Sequence, residues 1–146
     1  MKIVIQRVNS ASVKVNNKTV GSCGQGLLLL VGFGKEDTND KLSKAAQKIL
    51  NMRIFSDDSG KFNYSLLDIN GEILCVSQFT LYADTRKGNR PGFSESMEPE
   101  KASELFNLFV SELKELGANK VETGQFGAYM QVELVNDGPV TIQIDI

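Results

Sequence analysis

Three short stretches of the chain hold residue types that could do chemistry. Ser77-Gln78-Phe79-Thr80-Leu81 places two hydroxyls and an amide at the end of an apolar run, where folds often present a site. The cluster offers hydrogen-bond donors and acceptors but no base, and taken alone Ser77 and Thr80 read foremost as residues that terminate a strand. Thr85-Arg86-Lys87-Gly88-Asn89-Arg90-Pro91 carries three cations within five positions, set among loop-forming residues. Such a loop can grip phosphates, or can be a solvated connection. Asn136-Asp137-Gly138-Pro139-Val140-Thr141 reads as a turn between two strands, with a trans prolyl bond as the default. A cis bond there would set two carbonyls on one side as a rigid wall, and spacing alone does not decide between the two.

Composition limits what these stretches can do. The 146 residues include no histidine and no tryptophan, two cysteines, and a formal net charge of −2. Without histidine there is no His-based triad or dyad and no His-ligated zinc. Cys23 and Cys75 stand 52 positions apart, which excludes a CxxC redox pair and a four-cysteine metal framework. Both sit in strand-like apolar surroundings and read as small buried hydrophobes. Asp57-Asp58-Ser59-Gly60-Lys61 lacks the further spaced carboxylates of a cation loop and reads as a turn. Gly124-Gln125-Phe126-Gly127 lacks the strand-to-helix setting of a phosphate loop and reads as a bend. No metal and no cofactor are expected. The near-neutral charge argues against a non-specific nucleic-acid binder while leaving room for one local basic patch.

The elements that must position these residues follow from periodicity. Hydrophobic residues at 41% and charged residues at 23% are the balance of an ordinary globular protein, and the length suits one domain over 1–146. Ile3, Ile5 and then Ala11, Val13, Val15 alternate with polar neighbours as in strands, and Asn16-Asn17-Lys18 reads as a hairpin turn. Leu27 to Val31 reads as a strand buried on both faces. Leu42, Ala45, Ala46, Ile49, Leu50 and Arg53 recur at helical spacing, with Thr38 or Asn39 before them as N-cap. Ala102, Leu105, Phe106, Phe109, Leu113 and Leu116 form a second helical stripe, with Pro99 suited to its first position and Gly117 to its stop. Asn70-Gly71 signals a hairpin into the strand Glu72–Val76. Lys120–Thr123, Tyr129–Val135 and Val140–Ile146 read as further strands. The expected class is α+β, a single compact strand-rich domain with its two main helices packed on one side of the sheet or sheets. Met1 to Arg7 reaches a charge too soon for a signal-peptide core, and Leu27–Val31 is far short of a membrane span, so no membrane and a cytoplasmic address are expected.

Several stretches together resemble the D-aminoacyl-tRNA deacylases, also called D-tyrosyl-tRNA deacylases. They are Arg7-Val8 with Ala11-Ser12-Val13, Arg53-Ile54-Phe55 with Gly60-Lys61, Ser77–Leu81 with Ala83-Asp84, Lys87-Gly88-Asn89-Arg90-Pro91, Thr123-Gly124 with Phe126–Met130, and Asn136–Thr141. Each is weak by itself; their shared order along the whole chain is specific. Only the end, Ile142–Ile146, departs from the family's usual pattern.

The resemblance implies an editing hydrolase that releases D-amino acid from mischarged tRNA, built as a homodimer with active sites at the subunit interface. It implies that Ser77–Leu81 is the family's SQxTL motif, with Ser77 and Gln78 lining the pocket. Phe126 and Met130 fall where substrate-binding residues of the family fall. Gly138-Pro139 matches a Gly-cisPro motif that one subunit inserts into the other's site, and Arg7 an arginine that supports it. Arg86, Lys87 and Arg90 are the candidate tRNA contacts.

An aminoacyl ester is already activated, so a histidine-free protein needs orientation and an oxyanion hole more than a base. The Phe79 and Thr80 backbone N–H groups are the candidates for that hole, and the family is understood to use the 2′-hydroxyl of the terminal ribose to assist the attacking water. Thr80 as a nucleophile is the lesser alternative, because no base is visible to activate it. Glycine, lacking bulk, should escape steric exclusion, so glycyl-tRNA(Ala) is an expected further substrate. The competing readings are a non-enzymatic nucleic-acid-binding module using the Arg86–Arg90 loop, and a synthetase editing domain, against which the short chain speaks.

Overall fold

The structure is a computed structural model describing residues 1–146. Strand β1 (Lys2–Val15) is followed by β2 (Lys18–Cys23) and β3 (Gly26–Gly32), then helix α1 (Asp40–Asn51). A small hairpin of β4 (Phe55–Ser56) and β5 (Phe62–Tyr64) precedes β6 (Glu72–Ser77) and a single 3₁₀ turn, Phe79–Tyr82. Helix α2 (Pro99–Glu115), β7 (Lys120–Thr123) and β8 (Gln131–Asp145) complete the chain. The sheet runs in the order β2-β1-β3-β6-β7, with β8 on the other edge of β1. Pairs involving β1 are antiparallel, whereas β3–β6 and β6–β7 are parallel.

The core divides along β1 because that strand changes phase. Ile3 and Ile5 face the helices, in a cluster with Leu27, Leu29, Ile73, Cys75 and the buried stripes of α1 and α2. Val8, Ala11 and Val13 face the opposite way, toward Cys23, Leu28, Leu74 and Val76. The register of β1 against β8 slips between Gln6 and Val8 and again between Val8 and Ser10, and each slip exchanges the faces of a strand. The second cluster is enclosed because the sheet curls until β2 meets β7. There the Ser22 N–H donates to Glu122 Oε2 at 2.6 Å. Both helices lie over the first cluster, as the α+β reading expects. Fully burying a side chain such as Phe109 or Leu113 contributes roughly 1.5–3 kcal/mol, and the two stripes together hold α1 and α2 to the sheet.

Local signals perform as their chemistry dictates at most element ends. Asn16 and Asn17 both have positive φ, 49° and 62°, as a tight hairpin turn requires. Pro99 opens α2, and Gly117 at φ 98° lets the chain leave it, its N–H donating to the Lys114 carbonyl at 3.1 Å. Asn39 stands at the N-cap of α1 without a side-chain cap bond.

Two turns differ from expectation. Asn70-Gly71 does not close a hairpin: Asn70 has φ 51°, but it ends a compact turn from Ser65, and the strand that follows pairs in parallel with β3. Asn136–Thr141 does not reverse the chain either; it lies inside the continuous strand β8 as a bulge against β1. Cys23 and Cys75 are both buried and unpaired, and burial raises both thiols, Cys23 to about 11, so neither is a ready nucleophile. No helix is long and apolar enough to cross a membrane.

Gly21 marks the closure of the sheet. A Cβ there would collide with the Thr123 carbonyl oxygen of β7, a backbone atom that cannot step aside. Gly21→Ala should therefore destabilise the fold by about 1–3 kcal/mol. Urea unfolding checks this, and an unchanged midpoint would show that β2 and β7 do not meet.

Candidate active site

The site begins where β6 runs out. After Ser77 the Gln78 N–H donates back to the Val31 carbonyl of β3 at 2.7 Å, and the chain folds into the 3₁₀ turn. The turn comes to rest on two glycines of the strand β3 and its exit. A Cβ on Gly32 would stand 2.7 Å from the Gln78 carbonyl oxygen, and one on Gly34 would stand 2.6 Å from Tyr82 Cε1. Only glycine admits so close an approach. The turn's own hydrogen bonds start with the Leu81 N–H to the Gln78 carbonyl at 3.3 Å. The N–H groups of Phe79 and Thr80 come before that bond and stand outside the turn's ladder. The Gln78 side-chain amide donates to Thr80 Oγ1.

Beside this turn is a cavity of about 570 Å³, within the range of small-molecule sites. Ser77, Gln78 and Phe79 line it on one side, and Phe126 and Met130 on another, so the structure brings these five expected residues together. Thr80 is on the turn but not on the cavity wall. Phe126 and Met130 arrive through the Gly124–Gly127 bend. The Gly124 N–H donates to the Cys75 carbonyl at 3.1 Å, and a Cβ on Gly124 would stand 2.6 Å from Met130 Sδ. Gly127 supplies the positive φ of 73° that turns the chain toward β8.

Sequence reasoning missed the far wall, formed by Phe93, Ser96, Met97 and Glu98 ahead of α2. Phe93 meets Phe79 edge-on, with ring centroids 5.0 Å apart. An aromatic and a methionine just upstream of the Pro99 helix start were the only available signal. Glu98 is the single ionisable residue on the wall. The arrangement presents a largely apolar cavity beside the turn that carries the Phe79 and Thr80 N–H groups.

Arg7 works elsewhere. It is 7% exposed, donates through Nη1 to the Ile54 carbonyl at 2.6 Å, and through Nε to the Asp137 carbonyl at 3.0 Å. The same Nε faces the Asp137 carboxylate at 3.0 Å, and the guanidinium lies over the Phe62 ring at 5.2 Å. In the register, Gln6 pairs with Thr141 and Val8 with Asn136, so residues 137–140 all stand opposite Arg7. Asn136 closes this bulge by accepting the Val140 N–H at 3.0 Å. The Gly138–Pro139 peptide is cis, and both residues are exposed and absent from the cavity wall of their own chain.

The basic loop carries less free charge than its sequence suggests. Arg86 folds back on Asp84 in a bidentate pair, with Nε–Oδ1 and Nη2–Oδ2 both at 2.8 Å. Hydrogen bonds from the Arg86 side chain hold the Asp84 carboxyl well below the usual carboxylate range. Lys87 and Arg90 are exposed and make no ion pair, and neither lies on the cavity wall.

Replacing Arg7 with alanine strands the buried Ile54 carbonyl and frees the bulge. Arg7→Ala should cost about 2–3 kcal/mol of stability. A thermal melt checks it, and a loss below about 0.5 kcal/mol would make Arg7 an ordinary surface cation.

Comparison with known proteins follows this geometry closely. The family model described as D-Tyr-tRNA(Tyr) deacylase matches residues 4–145. A protein of Thermosipho africanus (strain TCF52B) named D-aminoacyl-tRNA deacylase is 57% identical over 145 residues, covering 99% of this chain and 97% of its own. One of Roseiflexus castenholzii (strain DSM 13941 / HLO8) with the same name is also 57% identical over 145 residues, covering 99% and 92%. Among solved structures, one titled c-Myc DNA Unwinding Element Binding Protein superposes with a TM-score of 0.94 at 44% identity over 100% of this chain and 99% of that one. A second, a probable eukaryotic D-amino acid tRNA deacylase, has a TM-score of 0.87 at 20% identity over 99% and 98%, a likeness of fold.

Proposed function

The chain belongs to the D-Tyr-tRNA(Tyr) deacylase family, and on that premise we propose how it works as a D-aminoacyl-tRNA deacylase. It is a hydrolase: water adds to the ester carbonyl, the ribose oxygen leaves with a proton, and free D-amino acid and tRNA are released. The observation that carries the mechanism is the apolar cavity beside the turn whose Phe79 and Thr80 N–H groups precede its first hydrogen bond, in a chain without histidine. These two donors stabilise the oxyanion, a contribution worth roughly 10²–10³ in rate for a well-aimed donor. The 2′-hydroxyl of the terminal ribose positions and relays the attacking water, since the segment Ser77–Tyr82 carries no carboxylate, amine or imidazole. Ser77, Gln78, Phe126 and Met130 hold the aminoacyl-adenosine end. No cofactor enters the reaction, and its setting is the cytoplasm, where charged tRNA is used.

Chirality is enforced by shape. In this reading two copies assemble, and the projecting Gly138-Pro139 bulge of one occupies the space that an L side chain needs in the other's site. Supporting it, the bulge is exposed and absent from its own cavity wall, and the outer edge of β8 is unpaired. Along the same strand and just ahead of it, Val135 is 56% exposed and Tyr129 91%, apolar area that a second copy would cover. Arg7 braces the bulge from beneath. Lys87 and Arg90 meet tRNA phosphates, with Arg86 available once it leaves Asp84.

A second reading, a nucleic-acid-binding module without catalysis, draws on the DNA-binding title of the 44%-identical structure. The two separate on one time course. Tyrosine should leave D-tyrosyl-tRNA, glycine should leave glycyl-tRNA(Ala), and L-tyrosyl-tRNA should persist. Equal persistence of all three would leave only the binding module, and loss of the L ester at the D rate would end the shape account. On the same assay Thr80→Ala should keep activity within about threefold. A loss on the order of 10⁴ or more would make Thr80 the nucleophile.

A further inference from the structure

Asp37 is the only buried carboxylate in the chain, and the proposed reaction does not use it. It lies in the connection between β3 and α1 and takes four donors. Oδ1 accepts the Met1 ammonium at 2.6 Å and Lys41 Nζ at 2.8 Å. Oδ2 accepts the Gly34 N–H at 2.7 Å and the Tyr82 hydroxyl at 3.1 Å. Burial opposes its charge, but Lys41, the Met1 ammonium and the Gly34 N–H outweigh that and hold the carboxyl below its ordinary range. Burial and the facing Asp37 charge push the Tyr82 phenol up, so it keeps its proton and donates.

The two groups on Oδ2 are the two halves of the seat described above. Gly34 is where the Tyr82 ring lies against β3, and Tyr82 is the last residue of the turn that carries Phe79 and Thr80. The Leu81 N–H to Gln78 and Ala83 N–H to Thr80 bonds close the turn, so it moves as one body. We propose that Asp37 is a positioning residue for deacylation: by tying Tyr82 to Gly34 it fixes how the turn sits on β3, and with it the aim of the Phe79 and Thr80 N–H groups. The inference rests on the oxyanion role proposed for those groups. Stability alone does not need the Tyr82 arm, since the Met1 ammonium and Lys41 already pair the charge. A displacement of the order of 1 Å at reacting groups can cost about a hundredfold in rate.

Tyr82→Phe removes the hydroxyl and keeps the ring. In the full chain, the test compares kcat and KM on D-tyrosyl-tRNA, the melting temperature, and the ¹⁵N–¹H shifts of Phe79 and Thr80 with wild type. The expected result is shifted Phe79 and Thr80 amides and kcat lowered about tenfold, with KM within about twofold and the fold intact. Asp37→Asn should move the same two amides in the same sense, along with a lower melting temperature. Shifted amides with unchanged kcat would overturn the oxyanion reading itself. Unshifted amides with unchanged kcat in Tyr82→Phe would overturn the positioning role and leave the proposed function standing. An Asp37→Asn variant that loses stability while both amides stay in place would also overturn it, making Asp37 purely structural.

Discussion

A site made of main-chain N–H groups can be aimed only by fixing the backbone that carries them. A side chain can be re-aimed by a rotamer change, whereas a peptide group moves only with its neighbours. The close approach of the Gln78–Tyr82 segment to Gly32 and Gly34 is the constraint on which the rest depends. The Gln78 N–H to Val31 bond fixes one end of that segment and the Tyr82–Asp37 bond the other. The parallel pairing of β3 with β6 serves the same end, because it delivers Ser77 beside Val31 where the turn must start. Buried on both faces, Leu27–Val31 and Ile73–Val76 have little freedom to drift.

The opposite end of the architecture is governed by one buried cation. Arg7 stands under the bulge of β8 and satisfies carbonyls from two other segments, Ile54 and Asp137. A buried charge left unpaired is costly, so the bulge and the β4–β5 hairpin are held wherever Arg7 is satisfied. The consequence is an exposed projection at Gly138-Pro139 on an edge strand whose outer side is unpaired. Unpaired edges invite a further strand or a second chain. In the proposed assembly the projection of one copy completes the cavity of the other, so substrate selection is a property of the pair.

Much of the fold was legible because local chemistry and tertiary packing agree. The helical stripes of α1 and α2 are the faces that are buried, and Asn16-Asn17, Pro99 and Gly117 act through φ values that no partner need supply. Asn70-Gly71 and Asn136–Thr141 misled for one reason. A positive φ or a proline marks a turn, but whether the chain then pairs with its predecessor or with a distant strand is decided non-locally. At the site, Ser77–Phe79, Phe126 and Met130 were visible as motifs and share one cavity. Phe93, Met97 and Glu98 were not, because only folding brings them opposite residues some twenty positions earlier. Asp37 was invisible: an acidic residue in a polar connector gives no sign that it will be buried under four donors. The pairing of Arg86 with Asp84, two residues away, was not read from the loop's sequence, because a run of cations draws attention away from the acid beside it.

The central claim is that backbone donors and the substrate's own ribose hydroxyl do the work of the missing histidine. Its most direct measurement is single-turnover hydrolysis of D-tyrosyl-tRNA ending in 2′-deoxyadenosine, with the ester on the 3′-oxygen, against the same substrate with the ribose intact. The account predicts a rate lower by about a hundredfold or more with binding unchanged. Hydrolysis of the deoxy substrate at the normal rate would contradict it and require a base or nucleophile from the protein.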